Sequence, residues 1–128
     1  MKKHNFNVPL YDYDVTLIQV ESNEDKSSVV SFLKKAKLDE YIKGCEEYID
    51  KGYSDGAETY YNRSIKKIIC VFYLLTNEES CENVYSHEKR HIEDRILEHC
   101  SVNDIEASAY LAGFLGVQFN KFKKLQNK

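Results

Sequence analysis

Ser86-His87-Glu88-Lys89-Arg90-His91-Ile92-Glu93-Asp94 is the stretch on which the reading of this chain turns, because it contains His-Glu-x-x-His. On a helix, residues four apart share a face, so His87 and His91 can aim both imidazoles at one point. Glu88 lies about 100° round the axis from His87. From that adjoining side it can reach a water at the same point without being a ligand. Zinc accepts two nitrogens and a carboxylate tetrahedrally and keeps a position for water. Metal-bound water is acidified towards neutral pH, and Glu88 is placed to take its proton. The competing reading is a solvated, charge-rich helix whose glutamates, lysine and arginines pair between turns.

A two-histidine site needs a further protein ligand, and Asp104-Ile105-Glu106-Ala107-Ser108-Ala109-Tyr110 offers one in Glu106, fifteen residues after His91. A carboxylate in a first helical turn is favoured by the helix dipole. The small residues Ala107, Ser108, Ala109, Ala112 and Gly113 let two helices approach closely. Asp94, His99, Cys100 and Asp104 are rival ligands. His99 and Cys100 lie far along the same straight helix, and Asp94 suits the orienting of a histidine's second nitrogen. Tyr110 is a further outer candidate, and Tyr60, Tyr61 and Tyr85 are alternatives for a hydrogen-bond donor to a developing oxyanion.

Outward from the motif, the pattern is α+β: a small β-sheet packed by helices. Val15-Thr16-Leu17-Ile18-Gln19-Val20 reads as a strand. Val29, Val30, Phe32, Leu33, Ala36 and Leu38 have helical spacing behind Asn23 or Asp25 as a cap. Tyr41, Ile42, Cys45, Tyr48 and Ile49 share the face of a second helix that stops near Gly52. Residues 58–61, a turn at Asn62-Arg63-Ser64 and an apolar run over 65–75 predict a β-hairpin with a buried second strand. A helix from Asn77 carries the motif and breaks around 100–103. The last helix, capped by Ser101 or Asn103, holds Ile105, Leu111, Leu115, Phe119 and Phe122. The 128 residues are expected to form one domain, 1–128, with residues 1–12 as a loosely held arm containing the lone Pro9. His4, in that arm, receives no role.

Composition narrows the partners. A net charge of −3 offers no field for nucleic acid. No apolar run nears the roughly 18–20 residues that cross a bilayer, and the N-terminus has no secretory apolar stretch, so a cytoplasmic placement is expected. Cys45, Cys70, Cys81 and Cys100 include no Cys-x-x-Cys pair and read as reduced thiols.

His87-Glu88-x-x-His91, a short loop and Glu106-Ala107-x-Ala109 resemble the zincin metallopeptidases, in their compact gluzincin branch, over residues 56–115. The resemblance implies a small sheet, an active-site helix and a following helix bearing Glu106 as the third ligand. It also implies Zn2+ held by His87, His91 and Glu106, Glu88 as general base, and an edge strand, either 58–61 or the later strand, that binds a peptide or protein substrate in extended form. The chain departs from the pattern in placing Lys89-Arg90 between the histidines, where they must face away from the metal. The alternative is a non-catalytic interaction module on a zincin-like fold, its zinc structural or absent and its surface meeting a partner protein.

Overall fold

The computed structural model describes residues 1–101 and 104–126. The elements are β1 (Lys2–Val8), β2 (Tyr13–Gln19), α1 (Lys26–Lys35), α2 (Ile42–Asp50), β3 (Ala57–Asn62), β4 (Lys67–Phe72), α3 (Glu78–His99) and α4 (Ile105–Gln126), with a short 3-10 turn leading into each of α1 and α2. The sheet order is β1-β2-β4-β3. Its central pair, β2 and β4, is parallel, and both outer pairs are antiparallel.

Ile68-Ile69-Cys70-Val71-Phe72 is apolar without alternation because β4 is covered on both faces. Val15, Leu17, Ile68, Cys70 and Phe72 join one core, with Tyr85, Ile92 and Ile96 of α3 and Leu111, Leu115, Phe119 and Phe122 of α4. Ile18, Ile69, Val71 and Tyr73 join the other, with Val29 and Leu33 of α1 and Cys45 and Ile49 of α2. The chain is therefore α+β, a small mixed sheet packed by four helices. The His-Glu-x-x-His helix is followed by a Glu-bearing helix, in the zincin-like order expected.

α3 touches β3 and α4 touches β1, so the two helices sit towards opposite edges of the sheet. The Glu82–Lys123 ion pair at 2.9 Å and the nearness of Lys89 to Gly116 set them antiparallel. Asn77 caps α3, its side chain accepting from Ser80 N at 2.8 Å. Glu78 and Glu79 lie in the first turn, where the helix dipole favours them.

Three expectations are corrected. Residues 2–8 form β1, paired with β2 along its whole length, rather than a loose arm. As an edge strand it keeps Lys3, Asn5 and Asn7 in solvent, which hid the inward set of His4, Phe6 and Val8. His4 Nε2 lies 2.8 Å from Gln118 Oε1, and Phe6 packs on Phe114. The apolar run over 65–75 is a six-residue strand, since residues 63–66 are spent on the turn and Lys66 takes a φ of 52°. Ser101 does not cap α4: it adopts a φ of 54° beyond the end of α3. Asp104 caps instead, its Oδ1 accepting from Ala107 N at 3.1 Å. Asn103 lies outside the described residues. All four cysteines are free thiols, Cys45 and Cys70 buried.

Phe72 is fully buried, with ring centroids 4.9 Å from Tyr85 and 5.4 Å from Phe122. Phe72→Ala is expected to cost about 3–5 kcal/mol of stability, read from the midpoint shift in urea unfolding.

Candidate metal centre

The inward stripe Tyr85, Ile92 and Ile96 fixes the rotation of α3 about its axis. One step round the helix, His87, His91 and Arg95 follow each other at intervals of four residues along the flank facing β3. His87 Nε2 and His91 Nε2 are 2.9 Å apart, with the rings crossed at 82°. Glu88 completes the cluster, with one potential donor atom from each residue lying within 4.8 Å of the others.

The two histidines are exposed, whereas Glu88 is only 4% exposed. Its carboxylate is held from the sheet: Thr59 of β3 donates its hydroxyl to Glu88 Oε2. The same hydroxyl lies 3.5 Å from Cys70 Sγ. A single proton goes to the charged acceptor, which makes the stronger bond. Burial pushes the Cys70 thiol well above its usual range, and the Glu88 charge adds to that. Cys70 therefore stays protonated behind the site.

A cavity of about 330 Å³ opens between the two elements, walled by Ala57, Glu58 and Thr59 of β3 and by His87, Glu88, His91 and Arg95 of α3. Burial raises the Glu58 carboxyl above its ordinary value, the Glu88 charge raises it further, and His91 opposes both. Arg95 donates Nη1 to Tyr61 OH at 3.3 Å and lies 4.4 Å over that ring. Among the described residues it has no carboxylate partner.

The donors suit a single zinc ion. Nitrogens each 2.0–2.1 Å from a tetrahedral metal stand roughly 3.3 Å apart. The observed 2.9 Å between the two Nε2 atoms needs only a small ring rotation to meet that. Imidazole nitrogen with carboxylate oxygen is also a donor set that zinc accepts.

His87, Glu88 and His91 are thus brought together as expected. Lys89 and Arg90 face away from them: Lys89 pairs with the buried Glu93 at 3.0 Å and Arg90 with Asp94 at 3.3 Å. Asp94 is exposed and engaged there, so it orients neither histidine. Glu106 is not brought to the pair. It is exposed in the first turn of α4, and the helix pairing sets it level with His99. That level is eight residues from His91, or about 12 Å along the axis. Tyr110 is 52% exposed on α4. His99 bonds the buried Tyr13 hydroxyl through Nδ1. The sequence reading missed Glu58 as a wall of the site, Thr59 as the partner of Glu88, and Arg95. The strand carrying Glu58 and Thr59 was legible as a candidate substrate edge, though not their side-chain roles, and Arg95 had its signal in lying four residues beyond His91.

Fold and cluster together define an α+β protein with a zincin-like His-Glu-x-x-His helix. Comparison with protein-family models, curated proteins and solved structures finds no match to this chain. Among the described residues no helix is long and apolar enough to cross a membrane.

Thr59→Val removes the donor to a buried carboxylate and is expected to cost about 1–3 kcal/mol. Thr59→Ser keeps the hydroxyl and should cost less. Urea unfolding of both metal-free variants at neutral pH checks the order.

Proposed function

We propose that this chain is a zinc-dependent peptidase acting on an extended peptide segment, with His87 and His91 as metal ligands and Glu88 as general base. The observation that carries this reading is the convergence of His87 Nε2 and His91 Nε2, with Glu88 in the same cluster, in a cavity against the open edge of the sheet. Zinc bound there supplies Lewis-acid chemistry, polarising a carbonyl and acidifying water.

The remaining work belongs to the chain's own side chains. Thr59 engages one oxygen of Glu88 and leaves the other to accept a proton from the attacking water. Glu88 passes that proton to the amide nitrogen as the C–N bond breaks, so the amine leaves neutral while water's oxygen and its second proton stay on the new carboxylic acid. Arg95, held by Tyr61, presents N–H donors towards the cavity for a substrate carbonyl or carboxylate.

β3 favours a peptide over other hydrolysable substrates. Among the described residues it pairs only with β4, so its outer backbone edge is open to strand addition beside the histidines. The cavity between β3 and α3 is only about 330 Å³, which suits a narrow substrate range.

Glu88→Gln is expected to keep zinc and lower peptide hydrolysis by about 10²–10⁴-fold, while His91→Ala loses zinc and activity together. Incubation with a mixed peptide library, read by mass spectrometry beside elemental analysis of the untagged protein, makes the test. A Glu88→Gln variant as active as wild type, or stripped of its metal, sinks the division of roles.

A further inference from the structure

We propose that Glu58, on edge strand β3, is the third ligand of this metal centre. The inference rests on the reading of His87 and His91 as ligands and extends it to a donor from an upstream strand.

Glu58 borders the same cavity as both histidines. Its register partner is Val71, whose side chain faces the α1/α2 layer. Among the described residues no strand lies beyond β3. The three-bond glutamate side chain, which stands outside the cluster of His87, Glu88 and His91, can therefore turn over the strand edge to meet a metal held there. Its carboxyl interacts with the charges of both Glu88 and His91.

Glu58 is half-buried, yet among the described residues its carboxylate has no hydrogen-bond donor and no ion pair. Partly desolvated carboxylates without partners are costly. Glu88 stands beside it, so two carboxylates border one cavity with the two imidazoles. Two nearby side-chain cations are paired with other carboxylates, Lys89 with Glu93 and Arg90 with Asp94. Arg95, stacked on Tyr61, borders the cavity without an ion pair to either glutamate among the described residues. A divalent cation seated at the histidines balances both charges. Two imidazole nitrogens and one carboxylate oxygen then hold it and leave its fourth position open, the arrangement of a catalytic rather than a closed zinc site.

Glu106 has none of these properties. It is exposed on α4, which packs on α3 and β1, and it stands level with His99, about 12 Å along the axis from His91.

The test is a zinc competition titration against a chromophoric chelator, using untagged wild type, Glu58→Gln, Glu106→Gln and His91→Ala, with thermal melts of each metal-free protein. Glu58→Gln should weaken zinc by more than the roughly 10–100-fold typical of losing an outer partner, while Glu106→Gln stays within about twofold of wild type. Metal-free Glu58→Gln should melt no lower than metal-free wild type, because it has lost a carboxylate without a partner. Wild-type affinity in Glu58→Gln, with His91→Ala unable to bind, overturns the assignment and leaves the two-histidine reading standing. Metal-free Glu58→Gln melting well below wild type makes Glu58 a structural residue and overturns it too. A wild type that takes up no zinc removes the centre itself, and this assignment with it.

Discussion

Phe72 sits where β4, α3 and α4 meet, and its ring packs against Tyr85, Phe119 and Phe122. That contact sets the rotation of α3. With Tyr85, Ile92 and Ile96 committed to the core, the helix has no freedom to turn its other faces. Glu88 falls against the sheet, His87 and His91 fall on the flank beside β3, and Arg90 and Asp94 fall in solvent. A dense interior transmits such a constraint because side chains packed at crystal-like density cannot rotate independently. The geometry of the candidate centre is thus a consequence of core packing one helical step away.

The same packing makes the site electrostatically expensive. Glu88 and Glu93 are both nearly buried, and each is met by a specific partner, Thr59 and Lys89. Glu93 has an ion pair, a common structural solution. Glu88 has only a neutral hydroxyl, with Glu58 as a second carboxylate nearby. A helix that places a carboxylate and two imidazoles into one cleft breaks the usual preference for burying apolar groups. Such departures concentrate where a chain binds or reacts.

The sheet order also decides how far the resemblance to zincins extends. The order of elements, a strand pair, then the His-Glu-x-x-His helix, then a helix with a glutamate in its first turn, agrees with it. The placement of that last helix does not bring its glutamate to the histidines. β1 and β3 are opposite edges of the sheet, α4 follows β1, and α3 follows β3. The face of α3 that carries the histidines therefore meets a strand, and the residues across the cleft are Ala57, Glu58 and Thr59.

Much of the local structure was legible from neighbouring residues alone. Helical spacing marked α1, α2, α3 and α4, the apolar run marked β4, and the interval of four between His87 and His91 placed both imidazoles on one flank. These are properties of 3.6-residue and 2-residue periods, which any segment displays by itself. β1 was illegible because an edge strand wets one face and reads as polar. The partner of Glu88, the wall containing Glu58 and the removal of Glu106 from the pair were decided by tertiary structure only. Each depends on which strand ends at which edge of the sheet. That is settled by burying both faces of β2 and β4 at once, a constraint acting between residues far apart in the chain and carried by no local pattern.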